Sequence, residues 1–254
     1  MKVVESAAEL LEHRRARGAG ATGFVPTLGA LHEGHLTLVR RAKAENARSW
    51  ASIFVNPAQF NDPRDLERYP RNTERDLEML DGAGCDLAFL PRAEEIYRDG
   101  YRYRVTENAF SHELEGAARP GHFDGVLTVV LKLLLLTRPD RAYFGEKDFQ
   151  QLQLVEGLVH AFFLDTRIVR CQTVREPDGL AMSSRNRLLS SAERARAPAL
   201  HRVLAESLAA ERPAAETAAA LEREGFDVEY VADRDGRRLA AVRLGQVRLI
   251  DNVE

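Results

Sequence analysis

The sequence predicts a doubly wound parallel α/β sheet followed by a smaller α+β domain. Three observations lead there. Up to about residue 175, short apolar strand-like runs alternate with helical patterns, the order expected of parallel strands with helices on both faces. The chemically unusual residues sit directly after those runs, at 26–35, 56–59, 146–151 and 174–186, and ligands of such sheets bind outside the carboxyl ends of the strands. After Asn186 the composition turns to Ala, Arg, Glu and Leu, which marks a change of unit.

Ser6 with Glu9 makes the capping box of a first helix. Strands are predicted at 22–26, 50–55, 86–90, 141–145 and 167–174, with helices near 36–47, 73–83, 126–137 and 148–163. Ser190 with Glu193 is a second capping box, followed by two helices and by strand runs at 228–231 and 242–250. The many charges there read as solvated helix faces. The turn Glu176-Pro177-Asp178-Gly179 divides the chain. A Rossmann-like domain is therefore expected over residues 1–176 and a small carboxy-terminal lid domain over 177–254.

Composition narrows the function classes. Lys and Arg total 36 against 39 Asp and Glu, a formal net charge of −3, so no general nucleic-acid or membrane footprint exists. Cys85 and Cys171 are too few for a disulfide framework and suit a reducing cytoplasm. The start, MKVVESAAELLEHRR, lacks the apolar core of a signal peptide. The greasiest stretch, 125–136, is interrupted by Lys132 and is too short to span a bilayer. The expectation is a cytoplasmic protein acting on small molecules.

The most informative stretch is FVPTLGALHEGHLTLVRRA, residues 24–42. His32 and His35 flank Glu33 and Gly34 where a strand gives way to a helical pattern marked by Leu36, Leu38, Val39 and Ala42. A strand, a tight turn and a helix start make an anion site, because free N–H groups and the helix dipole converge there. Two imidazoles add donors for phosphate oxygens. HEGH is not the zincin pattern, whose histidines stand four apart on one helix face. Zinc completed by His112 or His122 is one alternative, and ordinary polar loop histidines are another.

Four further segments carry informative polar groups. SIFVNPAQF (52–60) ends in Asn56 and Gln59, neutral amides suited to orienting hydroxyls or a carboxylate. EGAARPGHFDGV places Arg119 and His122 in a Gly/Pro loop that reads as a mobile cover. In FGEKDFQQL (144–152), Lys147 leaves a strand as a helix begins, with Asp148 as the expected cap and Gln151 one turn on. The dipole disfavours a cation there, whereas charge developing on a phosphoryl group would favour it. DGLAMSSRN (178–186) offers Ser183, Ser184 and Arg185, a donor set for phosphate.

Together PTLGALHEGHL, SIFVNPAQF, YPRNTERD, RPGHFDGV, FGEKDFQQL and DGLAMSSRN, in this order, closely resemble the pantothenate synthetase (pantoate–β-alanine ligase) family. The resemblance is dense to about residue 190 and looser to the ending RLIDN. It implies the nucleotidyltransferase superfamily with an HxGH turn and a KMSKS-type loop, places held here by HEGH and MSSRN. It implies that ATP and (R)-pantoate form a pantoyl adenylate and that β-alanine then yields pantothenate and AMP. By the same resemblance ATP belongs to Leu28, Gly29, Ala30, Leu31, His32, Glu33, Gly34 and His35, to Gly145, Glu146, Lys147 and Asp148, and to Val174, Met182, Ser183, Ser184 and Arg185. His35 is the implied proton donor, acting with His32, Lys147, Ser183, Ser184 and Arg185. Gln59 and Gln151 are the implied pantoate clamp with Asn56 beside them, and Gln59 also serves β-alanine. Mg2+ is implied with the ATP phosphates, and a homodimer through the amino-terminal domain.

Three departures stand out. Leu28 replaces a usual methionine, a volume-conserving change. The acidic segment reads Glu74-Arg75-Asp76, leaving Asp76 as the metal ligand. The carboxy-terminal domain is shorter than usual. Two rival functions are a nucleotidyltransferase acting on a phosphorylated metabolite, which would want Lys or Arg in place of Gln59 and Gln151, and a nucleotide-binding regulatory module without catalysis.

Overall fold

A computed structural model describes residues 1–254. Strands β1 (Lys2–Val4), β2 (Thr22–Thr27), β3 (Arg48–Ile53), β4 (Leu87–Phe89), β5 (Arg141–Gly145) and β6 (Arg167–Cys171) form one sheet ordered β1-β4-β3-β2-β5-β6. Every neighbouring pair is parallel. Its helices are α1 (Ala7–Ala16), α2 (Glu33–Glu45), α3 (Pro63–Arg68), α4 (Thr73–Gly82), α5 (Ala93–Ile96), α6 (Leu114–Ala118), α7 (His122–Thr137) and α8 (Phe149–Ala161). From β2 the chain lays β3 and β4 to one side, then returns to lay β5 and β6 on the other. The order reverses between β2 and β5, and the carboxyl ends of those strands flank the place where such sheets bind ligands.

Strand alternation builds two cores. Phe24, Trp50, Leu87, Phe89, Ala142 and Phe144 face a cluster completed by Leu10 of α1, Phe123 and Leu127 of α7, and Leu152 and Val155 of α8. Their neighbours Val25, Ala51, Ala88 and Tyr143 face the opposite cluster with Val39 and Ala42 of α2 and Leu80 of α4. Successive strand side chains point to opposite faces. Burial on both faces makes the strands read as continuous apolar runs.

Both predicted capping boxes form. The Ser6 hydroxyl accepts the Glu9 N–H at 3.2 Å and the Glu9 carboxylate takes the Ser6 N–H at 3.4 Å; Ser190 and Glu193 repeat the exchange. β1, α3, α5 and α6 were not predicted, because three to six residues are too few to establish a period. β6 stops at Cys171, short of the predicted 174.

By its internal contacts the chain divides into Met1–Glu146 with Gln150–Cys171, and Lys147–Phe149 with Gln172–Glu254. The predicted boundary at 176 and 177 is thus displaced. Residues after Cys171 belong to the second unit because Arg175 bridges to Ala181 and pairs with Asp251. That unit contains α9 (Ser191–Arg196), α10 (Ala199–Ala209), α11 (Ala214–Arg223) and an antiparallel sheet of β7 (Asp227–Arg234), β8 (Arg237–Leu244) and β9 (Val247–Val253). The predicted strand 242–250 is two strands, parted where Gly245 takes φ +60°. Asp235 and Gly236, at φ +51° and +77°, turn β7 into β8, the Asp-Gly signature of a type I′ hairpin.

α7 starts at His122, four residues before the predicted 126, and its Gly125 permits a close backbone approach. A Cβ there would lie 2.3 Å from the Ala58 carbonyl oxygen and 2.6 Å from the Gln59 nitrogen. The 3₁₀ turn Pro57–Gln59 therefore rests directly on α7. Gly125→Ala should lower the unfolding free energy by about 1–3 kcal/mol. A urea melt with an unchanged midpoint would contradict this contact.

Candidate active site

β2 delivers the chain to the site through a turn held by one carboxylate. The Thr27 hydroxyl donates to the Ser52 carbonyl at 2.8 Å and accepts the Gly29 N–H at 3.2 Å. Gly29 and Ala30 then take φ +80° and +51° in succession. A side chain at Gly29 would also meet the Asp76 carboxylate at 2.9 Å, so conformation and space both demand glycine. Asp76, on α4 and 3 % exposed, accepts the Ala30 N–H on Oδ2 and the Leu31 N–H on Oδ1, each at 2.8 Å. Bonds to a charged acceptor are the strong ones. Each Asp76 oxygen accepts one backbone N–H, so the residue clamps the loop. Leu28 lies half-buried before the turn and Leu31 is buried after it.

His32 then stands in extended conformation, φ −144° and ψ 174°, as the residue before α2. Its carbonyl accepts the N–H groups of His35 at 2.9 Å and Leu36 at 3.2 Å. His35 Nδ1 accepts the His32 backbone N–H at 3.4 Å. A neutral His35 ring therefore carries its proton on Nε2. The two half-buried rings lie 4.1 Å apart at 43°. First-turn N–H groups of a helix have no carbonyl upstream to bond, and here they belong to Glu33 and the half-buried Gly34. Glu33 would repel an anion, but Arg40 pairs with it, and that hydrogen bond holds the carboxyl below its ordinary range. The ion pair partly offsets the Glu33 charge beside the positive end of the helix dipole.

β3 leads into the amides. Asn56 is fully buried; its Oδ1 accepts the Tyr97 hydroxyl at 2.6 Å and the Ala58 N–H at 3.2 Å. Its Nδ2 is thereby turned to donate to Gln59 Oε1 and to the Gly125 carbonyl, both at 3.1 Å. With its oxygen so engaged, Gln59 presents the Nε2 donors. Burial raises the Tyr97 pKa, which keeps its hydroxyl a donor. Lys132, the charge inside the apolar stretch, donates to the Ile96 carbonyl at 2.9 Å and to Asp99 at 3.0 Å, with its ammonium 4.9 Å from the centre of the Tyr97 ring. It docks the segment that carries Tyr97.

His122 and Arg119 are not a mobile cover. His122 is 6 % exposed; its Nδ1 donates to the Gln59 carbonyl at 2.8 Å, and its Nε2 lies 3.2 Å from Arg119 Nη1. Arg119 pairs with Glu115 at 3.0 Å. Gln150 accepts the Glu115 N–H at 3.0 Å and donates to the Phe110 and Glu113 carbonyls at 2.7 and 3.0 Å. Gln151, half-buried, takes no part in that network. His112 is exposed, so neither third histidine is available to the zinc alternative, and no group of three His, Cys, Asp or Glu suited to a metal ion exists.

The remaining predicted residues follow β5 or belong to the second unit. Gly145 ends β5, and Glu146, Lys147 and Asp148 form a 3₁₀ turn that runs straight into α8. Asp148 is exposed and shows no capping bond, unlike the expectation, because the turn itself leads the helix. Lys147 is half-buried and its carbonyl accepts Asn252 Nδ2 at 3.0 Å. The Val174 carbonyl accepts the Met182 N–H at 3.0 Å. Ser183 caps the 3₁₀ segment Ser184–Leu188 by accepting the Arg185 N–H at 3.2 Å, and Ser184 is buried. Sequence reasoning missed Tyr97, Glu115 and Thr27, whose bonds to Asn56, Gln150 and Ser52 span 41, 35 and 25 residues and leave no local pattern.

A reversal-point strand thus opens into a histidine-bearing helix start, with neutral amide side chains at the next strand end. A model of the pantoate–β-alanine ligase family matches residues 1–254. The pantothenate synthetase of Bdellovibrio bacteriovorus is 52% identical over 253 residues, covering 100% of this chain and 99% of that protein. The Thermus thermophilus pantothenate synthetase structure has a TM-score of 0.92 at 44% identity, covering 100% and 99% of the two chains. The Francisella tularensis pantoate–β-alanine ligase, solved with β,γ ATP and β-alanine, has a TM-score of 0.92 at 39% identity, covering 100% and 97%. The chain belongs to the pantoate–β-alanine ligase family. Its compact carboxy-terminal unit is shared with the first two relatives, which align over nearly their whole length. No helix is long and apolar enough to cross a membrane.

Asp76→Ala should leave two N–H groups unpaired and lower the unfolding free energy by about 1–3 kcal/mol. It should slow the first chemical step by about tenfold or more, since the histidine turn loses its anchor. The same loss is expected of Asp76→Asn. Recovery of either variant by added Mg2+ would support the metal role.

Proposed function

We propose that this chain condenses (R)-pantoate with β-alanine, using ATP, through an enzyme-bound pantoyl adenylate. A pantoate carboxylate oxygen attacks the α-phosphorus of ATP; the new P–O bond replaces the bond to the leaving pyrophosphate. The β-alanine amine then attacks the acyl carbon, forming the amide and releasing AMP with loss of the amine proton. Pantoate is already ionised near neutral pH, so the first step needs no general base. Catalysis is then positioning plus stabilisation of charge around the phosphate. His35 supplies its Nε2 proton to that charge, with His32 beside it and the α2 N–H groups behind both. Lys147, Ser183, Ser184 and Arg185 are assigned to the phosphates, and Leu28 to Gly34, Gly145, Glu146, Asp148, Val174 and Met182 to the rest of ATP. Mg2+ is assigned to the ATP phosphates as part of the substrate, since the protein's own carboxylates do not gather to hold it. A homodimer and a cytoplasmic location complete the proposal, both supported by the family resemblance.

The observation that best supports the substrate assignment is the oriented amide series Tyr97, Asn56, Gln59. It engages the Gln59 oxygen and leaves Nε2 as a donor suited to a carboxylate or hydroxyl oxygen, and Gln151 supplies a second amide. A nucleotidyltransferase acting on a phosphorylated metabolite would want cations there.

Enzyme given ATP and pantoate alone should release pyrophosphate and retain pantoyl adenylate, with little AMP. His32→Ala and His35→Ala should each slow that release by about a hundredfold or more. Prompt AMP formation, or wild-type rates in folded variants, would refute the scheme.

Gln59→Ala and Gln151→Ala should raise the pantoate KM and lower kcat/KM by roughly ten- to a thousandfold, with ATP binding little changed. Separate calorimetric titrations of ATP and pantoate decide the matter. Collapse of ATP binding with intact pantoate binding would move these glutamines to the nucleotide.

A further inference from the structure

The chain ends on a strand whose burial pattern breaks its own alternation. β9 alternates from Val247 to Ile250, but Asp251, Asn252 and Val253 are all buried, the first two at 3 and 4 % exposure. A carboxylate and an amide are poor choices for such positions unless each is fully used. Asp251 meets Arg175 fork to fork, Oδ2 to Nη1 at 2.7 Å and Oδ1 to Nη2 at 2.9 Å. Arg175 also donates to the Gly179 and Asn252 carbonyls at 3.1 and 3.2 Å. It stands at the base of a hairpin: Arg175 bridges to Ala181, and the Glu176 N–H bonds the Leu180 carbonyl at 2.8 Å. The returning arm of that hairpin runs directly into Met182, Ser183, Ser184 and Arg185.

Asn252 acts on a different segment. Its Oδ1 accepts Arg237 Nη1 at 2.9 Å, so its Nδ2 must face away from that guanidinium, where it donates to the Lys147 carbonyl at 3.0 Å. Arg237 itself lies 4.8 Å over the ring of Phe149, two residues beyond Lys147. The turn that carries Lys147 is thereby held at its backbone and at its following aromatic.

We infer that Asp251 and Asn252 are positioning residues for adenylate formation: Asn252 sets the Lys147 turn, and Asp251, through Arg175, sets the hairpin that presents Met182 to Arg185. This rests on the assignment of those two segments to the ATP phosphates. Two adjacent residues of one strand thus brace both segments of the second unit to which the phosphate donors are assigned. The loose resemblance of the last sixty residues, which ends in RLIDN, acquires a physical purpose in this way.

Asn252→Asp separates this role from a merely structural one. The aspartate keeps an acceptor for Arg237 but sets an oxygen against the Lys147 carbonyl. Pantoate-dependent exchange of pyrophosphate into ATP should fall by about ten- to a hundredfold, while pantoate affinity of the folded variant stays near wild type. Wild-type exchange would overturn the proposal. In the Lys147→Ala background, Asn252→Asp should cost little more, because the group it places is gone; a full independent loss there would also overturn it. If Lys147→Ala itself exchanges normally, the assignment of Lys147 to the phosphates fails instead. Asp251→Asn, which weakens the fork to Arg175, provides a second variant should Asn252→Asp not fold. Its exchange should fall with pantoate affinity unchanged, and unchanged exchange would count against the inference.

Discussion

The Asp76 carboxylate, shared between the N–H groups of Ala30 and Leu31, is the interaction on which the site depends. β2 must turn its chain through two left-handed residues to present a helix N-terminus at the sheet's reversal point. Ala30 is not a glycine, so its conformation is unfavourable by itself. A buried anion taking two consecutive backbone donors offsets that cost and gives the turn one geometry. The His32 and His35 rings inherit their placement from it.

The charge pattern around that turn follows a consistent logic. A helix start attracts anions, yet its first residue is Glu33, and Arg40 reduces the penalty by pairing with it. At the neighbouring strand end the side chains are neutral amides, and the Arg119 guanidinium that reaches the Gln59 carbonyl is paired with Glu115. Asn56 is oriented by two donors and in turn orients Gln59, so polarity is transmitted from Tyr97 to the Gln59 amide without any net charge. Neutral amide donors suit hydroxyls and a carboxylate, whereas a helix start suits an anion. A site that hydrogen-bonds its substrate in this way rejects analogues lacking the partner group.

The supporting network has the character of a scaffold rather than a lid. Gly125 admits the backbone of the 57–59 turn against α7, and His122, Arg119, Glu115 and Gln150 connect that turn to the segment from Phe110 to Glu113. Lys132 interrupts an apolar helix in order to dock the residues around Tyr97. Each of these polar groups is paired, as burial requires.

Much was legible from local pattern. The alternation of runs and helices determined the parallel sheet, the two S-x-x-E boxes determined helix starts, and HEGH, NPAQ and GEKD marked the polar segments that follow β2, β3 and β5. These signals are local because capping, period and turn chemistry act within a few residues. What only the tertiary structure decided was the partner of each polar group. Asp76 read from the sequence only as an acidic residue near Glu74, and the fold shows it clamping a loop 45 residues away at Leu31. His122 looked like part of a cover and became the first buried residue of a helix. Cys171 rather than Glu176 ended the first unit, since Arg175 finds its counter-ion 76 residues away in Asp251. Long-range hydrogen bonds between single side chains leave no periodic trace in a sequence, so only folding reveals which residues they join.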